Sequence, residues 1–351
     1  MPSYEAVRAA FPVLERYAYL NAGTNGPLPR SVVEAMIAEQ LVDLADGRGG
    51  EPYFSRALDM RGEVRGKLAA LFSVEPTQVA LTRSTTDGCN IVLAGLDLGR
   101  DDEVVTTDVE HFGLIGPLHA SGARVVTASE DGVLDAVTDR TRLIAVSHVS
   151  WVTGNSLDPA GLKAETGLPI LVDGAQSAGV IPVEIGDLDY YAVSCQKWLC
   201  GPDVTGALIV NRADALPVAL PSYFAQTEHE PDGSYVVREG AERFDSGWIG
   251  TPSLAGLSKA LDMAPAWRFE RVAEMAAKCR AALDERFEVV TKPDQAGLVT
   301  FRPTNDPTEL VAKLRSEGVI VRELPGRNLI RVSCGWWTSD GDLDRLLSGL
   351  A

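Results

Sequence analysis

Apolar residues recur at helical spacing over residues 30–46 and 53–72, and the GRGGEP stretch between the two segments reads as a break. Short β-rich runs follow at 78–82, 103–107, 123–127, 142–148, 169–173, 190–195 and 206–210, each trailed by a helix-like or turn segment. Strands alternating with helices in this way predict an α/β fold built on a mostly parallel sheet covered on both faces. Such sheets bind ligands at the carboxyl ends of their strands. Past about residue 250 the rhythm changes. Residues 253–287 read as one or two long helices broken near Pro265, and the remainder as strand, strand, helix, strand, strand, helix, ending in pieces at 309–317, 319–323, 328–333 and 339–350. This smaller α+β unit could close over a site on the larger one. The large domain is expected over residues 15–260, with 1–14 and 261–351 forming the small domain.

The 351 residues fit that two-domain plan, and 45% hydrophobic with 23% charged residues is the balance of a globular chain with a sizeable core. Charge narrows the choice of partners. Lysine and arginine total 32 against 49 aspartates and glutamates, a formal charge of −17 that repels phosphate backbones and anionic membranes. No basic patch offsets it, so neither nucleic acid nor a membrane surface is an expected partner. Five cysteines with no CxxC pair argue against a disulfide framework and a zinc site, and no metal is expected. The opening MPSYEAVRAAFPVLERYAYL lacks the cationic start and apolar core of a signal peptide, and no apolar run is long enough to span a bilayer, so the chain reads as cytoplasmic.

Only seven of the cations are lysines. Lys67, Lys163, Lys259, Lys278 and Lys313 fall on helix-like surfaces and Lys292 in a Pro-containing loop, which leaves Lys197, just past the apolar run 190–195 and before a Gly-Pro turn. Taken alone, it reads as a surface lysine. Asp173 ends the apolar run 169–173, where a carboxylate is costly to bury; alone, it is more often a cap or turn former. Together, an amine past one strand end and a carboxylate at another suit pyridoxal phosphate (PLP), which needs a lysine for its Schiff base and an acid to keep its pyridine nitrogen protonated. Burial lowers a lysine's pKa and frees the amine to attack an aldehyde and move a proton. The phosphate needs donors more than bulk charge. LTRSTTDGCN at 81–90 places Ser84, Thr85 and Thr86 where a strand leads into a helix, whose first N–H groups make an anion site. A capping box with Thr85 or Thr86 as N-cap is an equally good local reading.

Asp173, Gln176 and Lys197 with their surroundings resemble the class V branch of fold-type I PLP enzymes, which includes cysteine desulfurases, selenocysteine lyases and isopenicillin N epimerases. The match runs from YLNAGTNGPLP at residue 19 to the last helix. It implies a large domain with a mixed, mostly parallel sheet, a smaller C-terminal α+β domain, PLP as cofactor, an amino-acid substrate and a homodimer with shared active sites. Residue by residue, the resemblance assigns Lys197 to the Schiff base, Asp173 to the pyridine nitrogen and Gln176 to the ring's O3′. Ser84, Thr85, Ser194 and Gln196 are then the phosphate ligands, Gln196 standing where relatives usually carry His. His111 in VEHFG is the residue that stacks on the ring, and Thr251 in GTPS the one that reaches the phosphate of the neighbouring subunit. Arg331 in LIRVSCGWW is assigned the substrate carboxylate, which its guanidinium fork can bind bidentately. Without the resemblance it is one arginine in an arginine-rich chain.

Two departures from the desulfurase pattern shape the expected activity. Residues 316–330 contain no Cys where desulfurases carry the nucleophile that collects sulfur as a persulfide, and Cys334, just past Arg331, reads as packing. Trp151 in HVSWVTGN replaces an Asn that contacts cofactor or substrate in many relatives, and Trp336–Trp337 follow the arginine. Buried tryptophans are usually core, but three at pocket positions point to a large or aromatic substrate. The expected activity is a PLP-dependent β-elimination that breaks the C–S bond of a cysteine derivative, with Lys197 as base and no Cys nucleophile. An aminotransferase or epimerase on the same scaffold is the alternative. A PLP-binding protein without turnover is a third reading, against which the presence of both Lys197 and Asp173 speaks.

Overall fold

The computed structural model describes residues 3–351; Met1 and Pro2, counted above with the small domain, lie outside the described residues. The main sheet has seven strands in the spatial order Val79–Thr82, Gly206–Val210, Tyr190–Ser194, Ile170–Asp173, Thr141–Ser147, Glu103–Thr107 and Arg124–Ala128. From Tyr190–Ser194 to Arg124–Ala128 all neighbours are parallel, and only Gly206–Val210 runs against both of its neighbours. Strands Ile170–Asp173, Tyr190–Ser194 and Gly206–Val210 are buried at every residue, which is why the sequence shows apolar runs there instead of alternation. One sheet face packs on helix Gly50–Phe72 through Val64, Leu68 and Phe72. The other packs on helices Thr85–Gly95 and Phe112–Ala120 through Val92, Leu114 and Leu118.

A four-stranded antiparallel sheet in the order Glu288–Val289, Leu298–Arg302, Leu329–Ser333 and Arg322–Leu324 forms the smaller unit. Helices Thr251–Met263 and Arg268–Asp284 break around Pro265 as expected. The run read as one strand at 319–323 divides in two: Val319–Ile320 pairs in parallel with Ala18–Tyr19, and Arg322–Leu324 pairs with Leu329–Ser333. Ala18 and Leu20 consequently sit in the small unit's core with Met275, Val299 and Ile330, so the chain crosses to the large unit later than the expected residue 15. The GRGGEP break is also shorter than read. Helix Gly50–Phe72 already includes its last three residues, and Gly47, at φ +78°, ends the preceding helix Arg30–Asp46. An exposed hairpin of Gln226–His229 and Tyr235–Val237 carries no apolar alternation and gave no signal in the sequence.

The free edge of strand Val79–Thr82 is covered by residues 245–246. Asp245 Oδ1 accepts from Leu81 N at 2.7 Å, and Ser246 N donates to Leu81 O at 2.9 Å. Arg61 and Arg65, one helical turn apart on Gly50–Phe72, both turn inward onto the same carboxylate, reaching Oδ2 at 2.7 and 2.8 Å. All three side chains are buried, and Asp245 is the acid the two guanidiniums share; Arg65 also reaches the more exposed Glu242, at 3.3 Å. Removing one member of a buried ion pair leaves the rest uncompensated and costs about 3–5 kcal/mol. Asp245→Ala is therefore expected to destabilise the fold by about that amount, read as a lower midpoint of denaturant unfolding.

Candidate active site

Four adjacent parallel strands end on the same edge of the main sheet, and their last residues are Thr107, Ser147, Asp173 and Ser194. Lys197 follows Ser194 by one turn, and Lys197, Asp173 and Ser194 line one cavity at this edge. Burial lowers the Lys197 ammonium to about 8; the Asp173 carboxylate opposes that shift, and Arg331 and Arg322 add to it. Burial raises Asp173, while Lys197 and the N–H of Ala175, which donates to Oδ1 at 2.8 Å, pull it back. The amine is thus poised to be neutral at mildly alkaline pH, as a base or nucleophile must be.

Ser84, Thr85 and Gln196 line the same cavity at the start of helix Thr85–Gly95. The N-cap is Ser84, not Thr85 or Thr86: its Oγ accepts from Asp87 N at 3.1 Å. Thr85 N and Thr85 Oγ1 both meet Ser194 Oγ, at 3.1 and 2.6 Å, joining the helix start to the neighbouring strand end. Gln196 Oε1 is buried without a hydrogen-bond partner. Since the two ends of an amide are exchangeable, this is a place where an NH₂ could meet an anion. Hydroxyls, first-turn N–H groups and an unengaged amide are a donor set that fits a phosphate monoester.

His111 is the N-cap of helix Phe112–Ala120, its Nδ1 accepting from Gly113 N at 3.0 Å. That bond leaves the proton on Nε2. Burial, then the nearby Lys197, Arg322 and Arg331, push the imidazole down to about 4, so it is neutral at neutral pH. It meets Trp151 edge-on, ring centroids 5.1 Å apart, and both residues line the cavity. Glu110, buried behind it, accepts from Thr107 Oγ1 at 2.8 Å and Ser147 N at 3.0 Å, and burial raises it to about 7. Sequence reasoning gave neither Glu110 nor Ser147 a role. The polar turn after a strand was the only signal for them.

The turn containing Gly23 and Thr24 closes the site from the N-terminal side. A Cβ on Gly23 would lie 2.8 Å from Arg331 Nη2 and 3.1 Å from Gln176 Oε1. Gln176 donates from Nε2 to Gly23 O at 2.9 Å, and its Oε1 accepts from Trp198 Nε1 at 3.0 Å. Arg331 is buried; Nη1 donates to Trp151 O at 3.0 Å, and burial with the nearby Arg322 lowers it to about 9. Arg322, missed in the sequence because it sits on a three-residue strand, donates to Thr24 Oγ1 at 3.1 Å. Among the described residues both guanidiniums bind only neutral oxygens.

Thr251 and the Trp336–Trp337 pair lie away from this cavity. Thr251, whose expected role lies at the phosphate of a neighbouring subunit, is buried in the single chain, where its hydroxyl donates to Asp43 Oδ2 at 3.1 Å. Trp336 and Trp337 are core residues packed on Phe11, at 5.4 and 5.7 Å between centroids, and only Trp151 of the three tryptophans faces the cavity. The argument for an aromatic substrate loses most of its support with them.

The family model described as Aminotransferase class-V matches residues 18–341. A probable cysteine desulfurase of Methanothermobacter thermautotrophicus is 29% identical, covering 91% of this chain and 86% of that protein. The cysteine desulfurase of an Enterobacter species is also 29% identical, over 99% of this chain and 97% of its own. Among solved structures, the cystine C–S lyase C-DES in complex with its reaction product cysteine persulfide superposes with a TM-score of 0.89 at 28% identity, covering 97% of this chain and 98% of the other. A lysine-to-alanine variant of C-DES with glycine covalently linked to its PLP cofactor gives 0.92 at 26%, covering 100% and 99%.

Lys197 binds its proton less tightly in the folded chain than at its ordinary 10.5, so burying the charged amine costs stability below about pH 8, and the cost fades as pH rises towards 10.5. Lys197→Met is expected to raise the thermal midpoint of the cofactor-free protein at pH 7, with the gain shrinking across that window in a pH series of melting curves.

Proposed function

The chain belongs to the class-V aminotransferase family and is a PLP-dependent enzyme, and from that premise we propose that it is a C–S lyase acting on a cysteine derivative with a second carboxylate, cystine being the simplest. The observation that carries this reading is the Arg322–Arg331 pair, two guanidiniums around the Thr24 hydroxyl with no acid of their own. One carboxylate satisfies one fork; a second fork calls for a second anion. The similarity to C-DES, a cystine C–S lyase whose reaction product is cysteine persulfide, supports the same substrate class.

In this reading Ser84, Thr85, Ser194 and Gln196 hold the cofactor phosphate, Asp173 its ring nitrogen, Gln176 its O3′, and His111 one ring face. When bound, PLP supplies an electron sink for a carbanion at the substrate's α-carbon. Lys197 removes the α-proton, Arg331 holds the α-carboxylate, Arg322 the distal one, and Trp151 walls the cavity beside His111. The Cβ–S bond breaks with its electron pair leaving on sulfur. With one water, cystine gives pyruvate, ammonia and cysteine persulfide.

All five cysteines are buried and none lines the cavity. Burial raises the thiols of Cys89, Cys195 and Cys200, and Cys334 is held up by its neighbour Cys279 as well as by burial. A sulfur-accepting nucleophile must be a thiolate within reach, which favours elimination over desulfurase chemistry.

The helix Arg30–Asp46 exposes Val33, Ile37, Leu41 and Leu44 on one stripe. The homodimer is proposed to form there, because an isologous interface brings the same stripe from a second copy. Leu41→Glu should convert a dimer to a monomer in sedimentation analysis, and a wild-type monomer would remove this interface.

Purified protein loaded with PLP should release pyruvate and ammonia from cystine, and Lys197→Ala should lower that rate by about 10²–10⁴-fold. Amine transfer that depends on an added α-keto acid, without pyruvate release, would overturn the lyase reading. Arg322→Ala should raise KM for cystine by about 10–100-fold and leave KM for an S-alkyl cysteine nearly unchanged; equal effects on both would remove the second-carboxylate assignment.

A further inference from the structure

Lys197 is followed by Trp198, whose ring is buried and whose indole nitrogen ends on the Gln176 amide. We infer that Trp198 is a positioning residue that fixes which end of the Gln176 amide faces the cofactor's O3′; this rests on the PLP site proposed above. The assignment follows from donor and acceptor chemistry alone. An indole N–H only donates and a peptide carbonyl only accepts. With Trp198 Nε1 at 3.0 Å on one end and Gly23 O at 2.9 Å on the other, Oε1 must lie towards the tryptophan and Nε2 towards the glycine. A flipped amide would set two donors face to face and two acceptors face to face.

One Nε2 proton is spent on Gly23 O, and Gln176 lines the cavity. The second proton is the donor the amide has left, and an O3′ oxygen is an acceptor. Gly23 alone cannot keep that arrangement, because without the indole Oε1 is a buried acceptor with no donor, relieved only if Gln176 swings away.

The tryptophan itself has little room to move. A Cβ on Gly297 would lie 3.1 Å from its Cη2, and its ring belongs to the cluster of Val149, Leu298, Trp336 and Trp337. A core side chain adjacent to the reactive lysine thus fixes the orientation of an amide 22 residues earlier in the chain.

The test uses the PLP-loaded protein and four forms: wild type, Trp198→Phe, Gln176→Leu and the double variant. The pH midpoint of the bound cofactor's visible absorption is the readout. A donor to O3′ favours the deprotonated cofactor, so Gln176→Leu should raise the midpoint by about one pH unit. Trp198→Phe should move it the same way, and the double variant should match Gln176→Leu alone, because a residue acting through Gln176 has nothing to add once Gln176 is gone. An unmoved midpoint in Trp198→Phe, or additive shifts, would overturn the inference.

A second measurement needs neither cofactor nor the Phe variant to fold. Hydrogen exchange at the Trp198 indole, followed by NMR in cofactor-free protein, should speed up at least about 10-fold in Gln176→Leu, where the acceptor is gone; unchanged exchange would sink the proposed contact. Failure to take up PLP would instead overturn the reading of the site, whatever the indole exchange shows.

Discussion

A Cβ at residue 26 would lie 1.9 Å from the Lys197 carbonyl oxygen, so at this point backbone meets backbone, and the Gly26 N–H donates to Gln196 O at 2.8 Å. Only a residue without a side chain permits this approach. Much of the site follows from it. The turn held against the lysine loop brings Gly23 to Arg331 and Gln176, and Thr24 to Arg322 and Arg331. Its upstream end is paired to the small unit through Ala18–Tyr19 and Val319–Ile320. One short stretch of chain therefore fixes the lysine, the amide and both guanidiniums relative to each other, although they come from two sheets.

The charge around that turn runs against the chain's overall balance. A protein of net charge −17 gathers Lys197, Arg322 and Arg331 closely enough that Arg322 and Arg331 both depress the lysine. Asp173 opposes them, but no carboxylate pairs with either arginine among the described residues. Fixed cations in a low-dielectric recess set inside an anionic surface focus the field on the recess, drawing small anions there while the exterior repels large ones.

The sheet and its carboxyl edge were legible because fully buried parallel strands leave unbroken apolar runs, and a charged residue at the end of such a run stands out. Asp173 and Lys197 were visible for that reason, and the Ser84–Thr86 helix start because hydroxyls cluster at caps. Arg322 was not: a three-residue strand is too short for any period to declare which way its side chains face. Trp336 and Trp337 misled for the opposite reason, since adjacency to Arg331 in sequence says nothing about the Phe11 side of the strand end where they pack. Local spacing also placed the domain crossing too early, because the pairing of Ala18–Tyr19 with Val319–Ile320 joins opposite ends of the chain.

That pairing has a consequence for the order in which the protein folds. Thr24 meets Arg322 and Arg331 across 298 and 307 positions of chain, and Ala18–Tyr19 pairs with Val319–Ile320 across a similar span. Contacts of such long sequence separation close slowly and late. The large sheet can take up the turn through Gln176 and Gln196, but the turn's contacts with Arg322 and Arg331 wait for the small unit. Docking of the small unit is therefore itself a late step in assembly of the active centre.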